Sequence, residues 1–289
     1  IFASTKRVKY NTVDEYHAQS FDSISEYVVE QKDSVLIVCN TKKKAKALFE
    51  CLKKRSEIPV LHLSTNMCQI HRMEVINKVR QILKNGEKLI LCSTQLIEAG
   101  VDIDFPVVFR ELAPLESIIQ SAGRCNREGK LDEGQVYLFQ LEDQSQPSRQ
   151  YETFAQYAQL CYKGNESRLT GSDFYSEYYT KIFSLYVEKE SITTKRKQLM
   201  FQDVAGLYHI INSNTITLFV YGYDDESKLL YNEIKDKEYL SRKDYQRIAQ
   251  YSVQVVDKST NKPSNGIKIW FGAYSKETGL SNEDEIYYI

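Results

Sequence analysis

No segment of this 289-residue chain matches G-x-x-x-x-G-K-[ST], the loop whose amides, lysine and hydroxyl cradle nucleotide phosphates. Of its 12 glycines only Gly129 is followed by Lys, and Leu131 takes the hydroxyl position. No strand-like run ends in paired acidic residues suited to magnesium. The 6 cysteines form no C-x-x-C pair and no metal-ligand rhythm with His17, His62, His71 and His209, so no metal site is assigned. Cys39 and Cys92 end apolar runs as small core residues do, and this cysteine usage fits a reducing cytoplasm. No apolar run approaches the length of a membrane span, and no signal peptide is present, so no membrane partner is expected. A net charge of −1 excludes bulk attraction to nucleic acid; any such contact must come from a local groove. The first residue is Ile rather than Met, which leads us to expect a piece of a longer polypeptide.

What is present is an alternation of short apolar runs and helical patterns, the signature of an α/β fold with a parallel sheet. Residues 34–39, 59–63, 89–92, 107–109 and 136–139 read as strands. Residues 22–32, 42–55 and 69–83 read as helices, the last with Ile70, Met73, Ile76, Val79 and Leu83 at helical spacing. After residue 142 the texture becomes polar and then aromatic. Helices are expected near 151–160 and 172–187, with Tyr175 and Tyr179 in the core. A basic turn, Lys195-Arg196-Lys197, precedes a smaller unit with strands at 215–221 and 267–271 and a helix opened by Ser241-x-x-Asp244. The expected organisation is a lobe over 1–142, a helical linker over 143–198 and a small α+β C-terminal domain over 199–289.

Two blocks carry chemistry. In the first, Thr94 stands just past a strand, at the edge where open α/β sheets bind ligands, and its hydroxyl suits a phosphate. Gly100 permits a tight turn, and Asp102 offers a carboxylate to a ribose or to an arginine. In the second, Gln120, Gly123, Arg124 and Arg127 form Q-x-x-G-R-x-x-R. Arginines three apart on one helix share a face and converge on one anion. A guanidinium is permanently charged, and its fork of donors suits a transferring phosphoryl group. Gln120 would position a water or phosphate oxygen, and Gly123 would allow close approach of the nucleotide or of another lobe.

Residues 20–142 resemble the second RecA-like lobe of a superfamily-two helicase, with Thr94 to Asp102 as motif V and Gln120 to Arg127 as motif VI. The wording TQLIEAGVDIDF followed by Q-x-x-G-R-x-N-R-x-G is similar to that of the helicase–nuclease of type I CRISPR interference. Val35 to Thr41 resembles its motif IV, and Phe201-x-x-Val204-Ala205-x-x-Tyr208-x-x-Ile211 resembles the start of its C-terminal accessory domain. The resemblance implies that Arg124 and Arg127, with Gln120 beside them, reach ATP across a cleft. It implies that Gly100, Asp102 and Gly123 line the nucleotide, and that Asn40, Thr41, Ser64 and Thr94 contact single-stranded DNA. It further implies a first helicase lobe holding the phosphate loop and magnesium, an HD nuclease, and recruitment by an RNA-guided surveillance complex. Neither phosphate loop nor clustered His and Asp is in this sequence, so the chain alone is expected to hydrolyse little or no ATP.

Two other readings remain open on the residues alone: a non-catalytic docking module for a partner carrying the other lobe, and a lobe from a different superfamily-two helicase. The run Lys42-Lys43-Lys44-Lys46 is expected to be a solvated helix face.

Overall fold

The computed structural model describes residues 7–98, 100–184, 190–207, 215–256 and 267–280. The end of the helix expected near 172–187 and the expectations for Tyr208 and Ile211 fall outside the described residues.

Strands apolar on every residue need cover on both faces. β1 (Val8–Thr12), β7 (Gly134–Leu141), β6 (Val107–Glu111), β3 (Val35–Cys39), β5 (Ile90–Thr94) and β4 (Val60–Leu63) lie side by side in that order. All these neighbours run parallel, and the short β2 (Ala18–Gln19) pairs further along β7 in the same sense. Side chains alternate across the sheet. Leu36 and Val38 join Leu63, Leu91, Val108 and Leu138 on one face, while Val35, Ile37 and Cys39 meet Ile24, Val28, Leu48 and Leu52 on the other.

Helices close both faces. On the second face lie α1 (Phe21–Val29), capped by the Ser20 hydroxyl, and α2 (Lys42–Arg55), capped by Thr41 and ending in Lys53, Lys54 and Arg55 near the negative end of its dipole. On the first face lie α3 (Gln69–Lys84), α4 (Leu115–Ala122), α5 (Arg149–Tyr162) and α6 (Ser172–Ser184). The five strands and three helices expected within residues 20–142 are all observed, to within a few residues at each end, and α4 is added to them.

Three differences have physical causes. β1 and β2 were not expected, because their half-buried, polar-spaced residues carry no apolar run; they pair because β7 would otherwise leave an open edge. The segment expected as a linker is part of the lobe's packing: Tyr162, Phe174 and Tyr178 are buried against the same core as Leu115 and Ile118. Within α6 it is Tyr178 that is buried, while Tyr175 is partly buried against the core and Tyr179 is 38% exposed. The basic stretch 195–197 ends a helix, α7 (Glu190–Lys197), rather than forming a turn, and Lys195 pairs with Asp203 on α8 (Phe201–Leu207).

The smaller unit places β8 (Thr215–Val220) between antiparallel β9 (Ser252–Val256) and parallel β10 (Ile267–Trp270), with α9 (Asp225–Ile234) and α10 (Arg242–Gln250) packed on it. The Ser241–Asp244 pair forms a reciprocal capping box at the start of α10. A last hairpin, β11 (Tyr274–Ser275) and β12 (Gly279–Leu280), docks this unit on the start of α3. The Tyr274 hydroxyl accepts from the Cys68 amide at 2.9 Å, His71 Nε2 donates to the Lys276 carbonyl at 2.9 Å, and the Leu280 amide donates to the Asn66 carbonyl at 2.9 Å.

Gly279 makes this docking possible: a Cβ there would stand 2.1 Å from the Asn66 carbonyl oxygen. Gly279→Ala is expected to destabilise the chain by about 1–3 kcal/mol, through overpacking and a φ of +82°. Gly206→Ala, in α8 with nothing within 4 Å, should stabilise by up to about 1 kcal/mol. Urea denaturation of both variants measures the contrast, and equal effects would sink the account.

Candidate functional site

The carboxyl ends of β4, β5, β3 and β6 meet along one edge of the sheet, where open α/β sheets bind ligands. Ser64, Thr94 and Asn40 stand at three of these ends, and Thr41 follows Asn40. Buried polar groups there need partners, and the structure supplies them from distant parts of the chain.

The centre is Arg110, fully buried at the end of β6. Its Nη1 donates to the Val38 carbonyl at 3.2 Å, the Glu111 carbonyl at 2.9 Å and Asn40 Oδ1 at 2.7 Å. Its Nη2 donates to the Tyr151 hydroxyl at 2.9 Å and stands 3.3 Å from Glu98 Oε1. Tyr151, on α5, donates in turn to Asn40 Oδ1 at 3.0 Å and accepts from Gln95 Nε2 at 3.2 Å. Glu98 also accepts from the Ser121 hydroxyl of α4 at 3.0 Å. Burial pushes the Glu98 carboxyl above the usual carboxylate range, against the pull of the Arg110 guanidinium.

A second buried pair sits beside the first. Lys44 Nζ reaches Glu111 Oε1 at 2.6 Å with both side chains buried, and Glu111 Oε2 accepts from the Asn40 amide at 2.8 Å. The lysine run therefore departs from the expected solvated face at Lys44. One turn of helix points it under the sheet edge, while Lys43 stays exposed beside Asp143 at 3.6 Å.

These networks decide where the expected residues lie. Asn40 is buried, its Nδ2 donating to the Leu112 carbonyl at 2.7 Å and to Gln146 at 3.0 Å, so its carboxamide is spent within the fold. Ser64 is buried with its hydroxyl 3.0 Å from His62 Nε2 and accepting from the Asn66 amide at 3.3 Å. Thr94 is buried at the end of β5, and Thr41 is half-buried with its hydroxyl capping α2. His62 is a core residue, its ring tilted 53° to that of Phe49 at 5.7 Å, and burial lowers its pKa to about 4.

The two arginines do not share a helical face. α4 ends at Ala122, capped by Gly123, and the chain turns through Asn126 at φ +46°. The helix stops because Phe105 bridges to this segment: the Phe105 amide donates to the Arg124 carbonyl, and the Asn126 amide to the Phe105 carbonyl, each at 2.9 Å. Arg124 turns inward, donating through Nε to the Ile97 carbonyl at 3.0 Å and through Nη2 to the Glu98 carbonyl at 2.5 Å. It clamps the loop that follows Thr94. Arg127 turns outward, 44% exposed, with Nε 3.2 Å from Asp102 Oδ1. Gln120 and Gly123 are exposed, and Gly100, at φ +74°, leads the chain to Asp102. The structure thus brings Asp102 and Arg127 together at the surface and separates Arg124 from them by depth.

Sequence reading passed over Arg110, Tyr151 and Asp104. Asp104 accepts the amides of Arg127 at 2.7 Å and Glu128 at 3.1 Å, fixing the turn that carries Arg127. The signal for Arg110 was available: an Arg-Glu pair ending an apolar strand of a parallel sheet has no solvent to face. Tyr151 gave no signal, since nothing in an aromatic helix names the end of a strand as its partner.

Residues 31–130 match the family model described as CRISPR-associated nuclease/helicase Cas3, C-terminal. A CRISPR-associated nuclease/helicase Cas3 of Haloferax volcanii is 55% identical over 56 residues, covering 19% of this chain and 6% of that protein. One from Methanothermobacter thermautotrophicus is 33% identical over 103 residues, covering 35% of this chain and 12% of its own length. The crystal structure of T. fusca Cas3-ATP superposes with a TM-score of 0.59 at 12% identity, over 87% of this chain and 36% of that one. A chain of a CRISPR RNA-guided surveillance complex, pre-nicking, gives 0.53 at 15% identity over 86% and 37%. The matched segments span a small part of the curated relatives, and the fold is that of a little over a third of the solved chains. This chain is similar, in sequence over residues 31–130 and in fold over most of its length, to the C-terminal portion of Cas3.

Removing one member of a buried ion pair strands the other. Lys44→Met is expected to cost about 3–5 kcal/mol by leaving Glu111 without its cation. Lys44→Met combined with Glu111→Leu should recover a part of it, read by urea denaturation; no recovery would count against the pairing. Between pH 6.5 and about 4 the unfolded chain takes up a proton at His62 that the folded chain refuses. Stability is therefore expected to fall over that window by roughly 3 kcal/mol, and His62→Gln should remove most of this slope. An unchanged slope in the variant would show that other groups carry it.

Proposed function

We propose that this chain is the second motor lobe and C-terminal unit of a CRISPR-associated helicase, working as half of an ATP-dependent translocase on single-stranded DNA. The observation that carries the reading is the exposed Arg127, beside the starts of β6 and β1, held by Asp104 through its backbone and by Asp102 through its side chain. A guanidinium so placed is oriented but not neutralised by burial, and an exposed pair of this kind contributes only about 0–1 kcal/mol, so phosphate oxygens can take Asp102's place.

The residues fit a nucleotide shared with another lobe. Arg127 would meet the terminal phosphate, with Gln120 beside it and Asp102 freed towards a ribose hydroxyl. Gly100 and Gly123 would keep the approach open. Arg124, buried, would act by holding the loop from Ile97 to Glu98. The similarity to Cas3 suggests that magnesium and the phosphate loop would belong to the first lobe. ATP supplies the free energy when bound, and this chain's part is to present Arg127 and exclude water from its side of the cleft.

On the DNA side, the turns that begin at Asn40, Ser64 and Thr94 would meet the phosphate backbone. Thr41 is the most accessible of the four side chains, and the buried three would shape the turns. Closure of two lobes on ATP would shift these turns along the strand. A surveillance complex and an HD nuclease of the same system are the partners that the similarity to Cas3 suggests, and the cytoplasm is the compartment they imply.

The test combines this chain with a separately produced first lobe bearing the phosphate loop and measures ATP hydrolysis with and without single-stranded DNA. Hydrolysis stimulated by DNA is expected from the pair and not from this chain alone. Arg127→Ala should lower the pair's turnover by about 10³-fold, the scale of a lost arginine at a phosphoryl transfer. Equal turnover with the variant overturns the role of Arg127, and appreciable hydrolysis by this chain alone overturns the shared-site reading.

A further inference from the structure

Arg110, Glu98, Tyr151 and Ser121 touch neither the exposed edge where Arg127 stands nor the half-exposed turn at Thr41, yet they join the two. Asn40 and Gln95 belong to the strand-end turns; Glu98 begins the loop to Asp102; Ser121 lies on the helix that leads to Arg124 and Arg127. A single buried guanidinium bonds to Asn40, to Glu98 and to Tyr151, and the Tyr151 hydroxyl bonds to Asn40 and Gln95. Glu98 then holds Ser121 by its side chain and Arg124 by its carbonyl. The chain of contacts is continuous, buried from Asn40 through Arg110 and Ser121 to Arg124 and part-buried at Tyr151 and Gln95, and a bond lost in its buried part leaves a polar atom without water to replace its partner.

We propose that Arg110, oriented by Tyr151, is a positioning residue that couples the nucleic-acid-facing turns at Asn40 and Gln95 to the turn carrying Arg127. This rests on the function proposed above and deepens it. A shift of the Asn40 or Gln95 turn displaces the Tyr151 hydroxyl or Asn40 Oδ1. Arg110 cannot follow one partner without straining its contact to Glu98, and Glu98 carries the strain to Ser121 and Arg124. Three residues separate Glu98 from Asp102, the partner of Arg127. The fold uses α5 here as more than cover for the core: Tyr151 brings from outside the motif blocks a hydroxyl that meets Asn40, Gln95 and Arg110 together.

The test removes single hydroxyls, which leaves packing intact. Tyr151→Phe breaks the link at the strand side and Ser121→Ala breaks it at the arginine side. In the reconstituted pair each variant is expected to keep the basal ATP hydrolysis and to lose about tenfold of the DNA stimulation. The double variant should be no worse than either single, because one break already interrupts the path. In this chain alone, adding single-stranded oligothymidine should slow amide exchange at Arg127 and Glu128, whose amides bond to Asp104, and Tyr151→Phe should abolish that response. Full stimulation and an unchanged exchange response in both variants overturn the coupling while leaving the proposed function standing. Loss of basal and stimulated hydrolysis in equal proportion also overturns it, assigning these hydroxyls a purely structural part. Absence of DNA stimulation in the unsubstituted pair overturns the proposed function and the coupling together.

Discussion

A guanidinium buried at the end of β6 organises the carboxyl edge of this sheet. Taking a charge out of water costs several kcal/mol, and Arg110 offsets that cost by turning both Nη atoms onto carbonyls, a carboxamide, a phenol and a carboxylate, its buried Nε alone being left without a partner. Those partners come from β3, α5 and the loop after β5, so satisfying one charge fixes the relative positions of three segments. The neighbouring Lys44–Glu111 pair repeats the logic one strand end away, and the Asn40 amide ties the two together. Apolar packing alone would tolerate sliding of these turns; directional bonds to a buried fork do not.

From this follows the division of labour between the two arginines. Arg124 is drawn inward because the carbonyls of Ile97 and Glu98 sit where the Arg110 network holds them. Arg127 is left outward, because Asp104 takes its amide and Asp102 meets its side chain at the surface. One arginine holds the loop and the other stays at the surface. The close approach of β7 supports the same turn: a Cβ at Gly134 would stand 2.6 Å from Cys125 Sγ, so the strand passes directly beneath it.

Much of the lobe was legible in the sequence. Val35 to Cys39 announces a strand buried on both faces, and Thr41 with the run to Arg55 announces a capped helix, because both signals are local and periodic. β1 and β2 were illegible because their half-buried, polar-spaced residues form no apolar run. The aromatic helices were legible as helices but not as parts of the lobe. Which of Tyr175, Tyr178 and Tyr179 is buried depends on where α6 crosses the Leu115–Ile118 surface, a matter of a few tens of degrees about the helix axis. In the site, the identities at Thr94, Asp102 and Arg127 could be read; their depths could not.

The order of strands and helices, the two motif blocks and the lack of a phosphate loop were determined by the sequence itself, since each is a property of residues close together in the chain. Tertiary structure alone decided that Arg127 faces solvent while Arg124 does not, that Asn40 and Lys44 are buried, and that Tyr151 joins the edge of the sheet. The physical reason is separation along the chain. Asn40 and Tyr151 lie 111 residues apart and Lys44 and Glu111 lie 67 apart, so the desolvation that forces these groups to pair exists only once the sheet has brought them together.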